Sequence, residues 1–234
     1  MSKPTVAKNA AAIKELREQI SELKTNFEKS LEILENKLND LTKPDIPVPP
    51  VCDVAPKSEH DVLIIGDSIV SSVDTEMIDP EADITIDFVR GGRPIDISNR
   101  FEELTKEKSF KRVIVHVGTN LIPRFSPSYV ADQVLICLKR IKQLSPSSKV
   151  TFSSILPKYD SSLLHGINII NNQVMHSGKS GPIRQQFSFL SHRQNFANRF
   201  GFVNSSLFNA DKLHLSLDGK LAFNLGLNFF IGNN

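Results

Sequence analysis

Four short blocks of the chain hold residue types that can do chemistry: Gly66-Asp67-Ser68, Gly91-Gly92, Gly118-Thr119-Asn120, and Asp211-Lys212-Leu213-His214. A serine hydroxyl is a weak nucleophile unless a base takes its proton, so a serine and a histidine are the first pair to weigh. The serine block follows an unbroken apolar run, Val62 to Ile65, which reads as a strand buried on both faces. Gly66 lets the backbone turn sharply after that strand. Ser68 is thereby placed at the carboxyl edge of a sheet, where α/β folds bind ligands and a nucleophile would sit. Each block also has a plainer reading. Asp67 and Ser68 are good N-cap residues, Asn120 suits an ordinary turn, and His214 suits an exposed loop.

The elements that would position these blocks alternate from His60 onward. After the first strand come an expected helix over 69–77 and a second strand over 84–89 ending at Gly91-Gly92. A helix over 93–107 and a third strand over 112–117 lead to Gly118-Thr119-Asn120. A longer helix over 127–144 is stopped by Ser145-Pro146 and followed by a fourth strand over 150–155. Helices over 163–175 and 183–200, a short fifth strand over 201–204 and a closing helix over 217–230 complete the order, with Asp211 to His214 in the loop before the last helix. Such alternation predicts a parallel, doubly wound sheet.

Composition bounds the function classes. The 234 residues carry a formal charge of +2, with 9 Lys/Arg against 10 Asp/Glu in residues 1–59 and 19 against 16 beyond. That surplus leaves no nucleic-acid footprint, so nucleic acid is not an expected partner of this chain. Cys52 and Cys137 are far apart and indicate neither a metal site nor a disulfide framework. No apolar signal region or membrane span is visible, and a soluble, intracellular, cytoplasmic protein is expected.

In this order, on this βα pattern, the four blocks resemble the SGNH hydrolases, also called GDSL-type esterases and lipases, over residues 60–234. The resemblance implies a three-layer α/β/α sandwich around a central parallel, flavodoxin-like sheet, and a serine esterase with no cofactor and no metal, acting on acyl or lipid esters. It assigns Ser68 as nucleophile, His214 as general base and Asp211 as the carboxylate that holds the other ring nitrogen. The oxyanion formed on attack would meet the N–H of Ser68, the N–H of Gly91 and the side-chain amide of Asn120, with Gly92 competing with Gly91 for that place. The family usually continues the first block with Leu and the third with Asp. Here Ile69 and Leu121 stand there, which removes no reacting group but alters how the Asn120 loop is anchored. The α/β-hydrolase G-x-S-x-G elbow is absent at this serine.

Residues 1–43 precede that domain with a heptad seam, Ile13, Leu16, Ile20, Leu23 and Phe27, continued after a stutter by Leu31, Leu34, Leu38 and Leu41. A coiled coil of about 50 Å follows from a rise of about 1.5 Å per residue, a homodimer being favoured and a trimer its alternative. Residues 44–59, with five prolines from Pro44 to Pro56, read as a semi-rigid linker. Coiled coil, linker and the stretches VHVGTN and DKLHLSLDG together resemble the esterase-bearing first-open-reading-frame proteins of vertebrate non-LTR retrotransposons. Finally, Arg184 to Phe202 interleaves arginines with phenylalanines. The helical spacing puts the rings in a core, and an anionic membrane surface is the competing use.

Overall fold

The computed structural model describes residues 57–158, 161–179, 187–198 and 202–232, together with Lys29. Apart from Lys29 these belong to the second of two units of the chain, Pro56–Asn234. The expected coiled coil over 1–43 and nearly all of the linker lie outside the described residues. The first strand, β1 (Ser58–Gly66), begins two residues inside the stretch expected to be linker.

Around β1 stand β2 (Ile84–Phe88), β3 (Lys108–His116), β4 (Lys149–Ser153) and β5 (Phe187–Leu190). All pairings are parallel and the order is β2-β1-β3-β4-β5, the flavodoxin-like arrangement. Val62, Leu63, Ile64 and Ile65 are wholly buried, Leu63 and Ile65 in one core and Val62 and Ile64 in the other. Period-two alternation in a strand sandwiched by two helix layers explains why the run shows no polar gaps. Each such side chain contributes about 1.5–3 kcal/mol by its burial.

One layer is built by α2 (Pro94–Leu104), α3 (Pro127–Leu144) and α4 (Ser161–Lys179), which join Ile97, Phe101, Val134, Leu138 and Ile170 to Leu63 and Ile65. The other is built by α1 (Thr75–Ile78), α5 (Arg193–Phe196) and α6 (Leu217–Gly232), which join Ile78, Phe196, Phe223 and Leu227 to Val62 and Ile64. Ser126 caps α3, accepting from Tyr129 N, and Pro127 follows at the first helical position.

Three expected elements differ. In place of one helix over 69–77 there is a 3-10 turn, Ser68–Ser72, an extended Val73, and α1, capped afresh by Asp74 through Glu76 N at 3.1 Å. A new cap beside β-branched residues breaks the segment in two. In place of a helix over 183–200 there are β5 and the short α5. In place of a fifth strand over 201–204 there is a single bridge between Ala197 and Val203. The fifth strand is Phe-Ser-Phe-Leu at 187–190, too short for periodicity to separate strand from helix.

Candidate active site

In this strand order the chain turns back at β1: β2 lies on one side and β3 on the other. Loops leaving β1 and β3 at their carboxyl ends therefore diverge around a crevice, the usual ligand position in such sheets. Ser68 follows β1 and Asn120 follows β3, and the register sets Gly66 opposite both Phe88 and His116. Gly66 has to be glycine for close approach, since a Cβ there would lie 2.1 Å from the His116 carbonyl oxygen.

Asp67 caps the turn that carries Ser68, its Oδ1 accepting from Ile69 N at 3.1 Å while Val70 N donates to Asp67 O at 3.0 Å. Those bonds satisfy the second and third N–H groups of the turn and leave that of Ser68, the first, as the group a helix start normally leaves open. The Asp67 carboxyl is almost fully buried; burial pushes it up, and the nearby His116 holds back part of the rise.

Gly91 has φ of +66° and lines a cleft of about 420 Å³ with Asn120. Gly92 N–H is engaged by Val89 O at 2.9 Å, and Gly92 O accepts from Asn120 Nδ2 at 3.0 Å. A side-chain amide has two N–H donors, so one remains on Asn120.

Asp211 and His214 meet in the loop before α6. His214 Nδ1 lies 2.6 Å from Asp211 Oδ2, and Asp211 Oδ1 accepts from the N–H groups of Leu213 and His214, each at 2.9 Å. The His214 ring and those two N–H groups hold the exposed Asp211 carboxyl down to about 2. With Nδ1 occupied, Nε2 is the nitrogen of His214 left to exchange a proton.

The structure thus brings Asp211 to His214 and Gly91 to Asn120. It forms no hydrogen bond between Ser68 Oγ and the His214 ring. The Ser68 turn and the helix after the His214 loop are nevertheless joined by Asn224, a buried residue of α6 that the sequence did not single out. Its Oδ1 accepts from Asp74 N at 2.9 Å and its Nδ2 donates to Ser72 O at 3.0 Å and Lys220 O at 2.9 Å. A bond across 152 positions carries no local signal.

A second serine–histidine group lies elsewhere. Ser153 Oγ is 3.1 Å from His116 Nδ1 and 2.8 Å from His192 Nε2, with all three residues at 0% exposure. Burial pushes both rings down, His192 to about 3. An ester cannot reach this serine. The Cys137 thiol is buried as well, pushed up to about 12.

No family model and no curated protein sequence matches the chain. Solved structures do. A GDSL-like lipase of Bacteroides thetaiotaomicron superposes with a TM-score of 0.61 at 15% identity, over 74% of this chain and 88% of its own. The fold is that of the GDSL-type hydrolases. A carbohydrate esterase of family 3 from Talaromyces cellulolyticus gives 0.56 at 15% identity, over 75% of this chain and 97% of its own. A lipase from a goat rumen metagenome gives 0.54 at 13%, over 74% and 97%. Within this GDSL-type fold, the described residues contain no group of three or more His, Cys, Asp or Glu able to hold a metal ion. No described helix is long and apolar enough to cross a membrane.

Proposed function

We propose that the chain is a serine esterase in which Ser68 attacks a carboxylic ester. His214 Nε2 takes the Ser68 proton and passes it to the departing alcohol, and a water then releases the acyl group from Ser68 by the same base. Asp211 holds the imidazole and stabilises its charged form. The N–H groups of Ser68 and Gly91 and the Asn120 amide receive the oxyanion; Gly91 is favoured over Gly92, whose N–H is engaged by Val89. The observation that carries this reading is the 2.6 Å Asp211–His214 pair, which leaves Nε2 available in a chain of GDSL-type fold.

The lack of a hydrogen bond between Ser68 and His214 favours a second reading, a lipid- or carbohydrate-binding module with weak turnover. Hydrolysis of nitrophenyl esters from short to long acyl chains decides between them: turnover well above buffer that vanishes in Ser68→Ala supports the esterase. Wild-type rates equal to buffer at every length support the module.

The heptad seam, the proline-rich linker and the stretches VHVGTN and DKLHLSLDG together support an oligomeric, intracellular retrotransposon-encoded protein, a homodimer through residues 1–43. A lipid substrate or anionic membrane surface as partner is supported by the exposed stripe Leu217, Leu221, Leu225 and Phe229, which starts three residues after His214. The Arg/Phe stretch supports it less, because Phe187 and Phe196 are buried and only Phe202 among its described rings is largely exposed.

A further inference from the structure

The cleft that begins at Gly91 and Asn120 continues past Arg93, Arg124, Phe125 and Tyr129. Two guanidinium groups line it and no carboxylate does. Arg93 is already engaged, Nε and Nη2 lying 3.0 and 3.3 Å from the Asp96 carboxylate. Arg124 forms no ion pair among the described residues; its backbone N–H alone is fixed, on Leu121 O at 3.0 Å. The opposite character is supplied by Phe125 and Tyr129, stacked at 4.8 Å and each almost half exposed.

A guanidinium on a concave wall without a compensating acid is matched by a planar or tetrahedral anion, which it can hold through two parallel N–H donors. A neutral ester would leave that charge to water and draw no selectivity from it. An apolar stem would lie on the aromatic pair, within a volume that suits a small ligand.

Resting on the esterase reading, we propose that this cleft selects esters carrying a carboxylate or phosphate, received by the side chain of Arg124. The anion belongs either to the acyl part or to the alcohol part, and two matched substrate pairs separate these sources. The first is the p-nitrophenyl monoester of glutaric acid against p-nitrophenyl valerate. The second is a 1-acylglycerol 3-phosphate against the same 1-acylglycerol. In the wild type, kcat/KM favours the charged member of one pair by about tenfold or more, the scale of a charged hydrogen bond. In Arg124→Gln that ratio falls to about one, and Arg124→Lys keeps part of it.

A binding measurement stands apart from turnover. The Ser68→Ala protein is titrated by calorimetry with glutarate and with glycerol 3-phosphate, alongside Ser68→Ala/Arg124→Gln. Binding of either anion that disappears with Arg124 supports the anion site even if no ester is cleaved, in which case it is the esterase reading that fails. A ratio of one or below in both pairs, a preference that survives Arg124→Gln, or no anion binding to Ser68→Ala overturns the proposal.

Discussion

Two serine–histidine groups among the described residues, Ser153 with His116 and His192, and Ser68 with His214, differ first in access. Ser153 sits between His116 and His192 at hydrogen-bond distances, yet all three are sealed in the core. Ser68 and His214 lack such a bond, yet Ser68 follows the carboxyl end of β1 and His214 is half exposed in the loop before α6. Good hydrogen-bond geometry is what a buried polar group needs in order to be tolerated. A reacting group needs a route for substrate, which Ser153 at 0% exposure lacks.

The sharpest way to break this contrast is to delete each serine. Ser68→Ala is expected to remove at least about a thousandfold of turnover in an ester assay, as losing a nucleophile does. Ser153→Ala is expected to keep wild-type turnover. A Ser153→Ala protein that is folded but inactive, with Ser68→Ala active, would reverse the assignment. Next in size, Asn120→Ala is expected to lower kcat by about a hundred- to a thousandfold with KM changed far less, the usual loss for one oxyanion donor.

The remaining effects are on stability. Asn224→Ala removes three hydrogen bonds of a buried amide and is expected to cost about 2–4 kcal/mol in denaturant unfolding, with ester turnover falling too because the Ser68 turn is released from α6. Ser153→Ala should cost about 1–3 kcal/mol, since two buried rings lose their shared partner. Smallest per step is the pH slope. His116 and His192 are held neutral by burial, so below an ordinary histidine pKa of about 6.5 the unfolded chain binds protons that the folded one refuses. Stability is therefore full above about 6.5 and falls with acidification toward about 3, where His192 charges in the fold, by about 1.4 kcal/mol per pH unit for each such proton. Urea midpoints flat across that window would show that the rings are solvated.

How much of this was legible depended on the range of the interactions. β1 could be read because four consecutive apolar residues leave little alternative, and α3 because Ser126-Pro127 and Ser145-Pro146 bracket it. The end of β3 at Gly118 and the Asp211–His214 spacing were equally local. The break at Val73 depended on Asn224 taking the Ser72 carbonyl, and β5 depended on pairing with β4, so neither left a trace in its own stretch. The phenylalanines of residues 187–196 were expected in a core and Phe187 and Phe196 are there, but in part from a strand edge rather than a helix face. Ser153, His116 and His192 come from three separate segments, and only the sheet sets them side by side.

The bonds from Asn224 to Ser72 and Asp74 have a consequence for the order of events during synthesis. Ser68 is made 146 positions before His214, and Asn224, which ties the Ser68 turn to α6, ten positions after His214. Until α6 has cleared the ribosome, the growing chain can carry a formed β1 and a capped Ser68 turn but no base to activate it. On the esterase reading, cleavage would therefore wait for α6 to dock on the Ser68 turn.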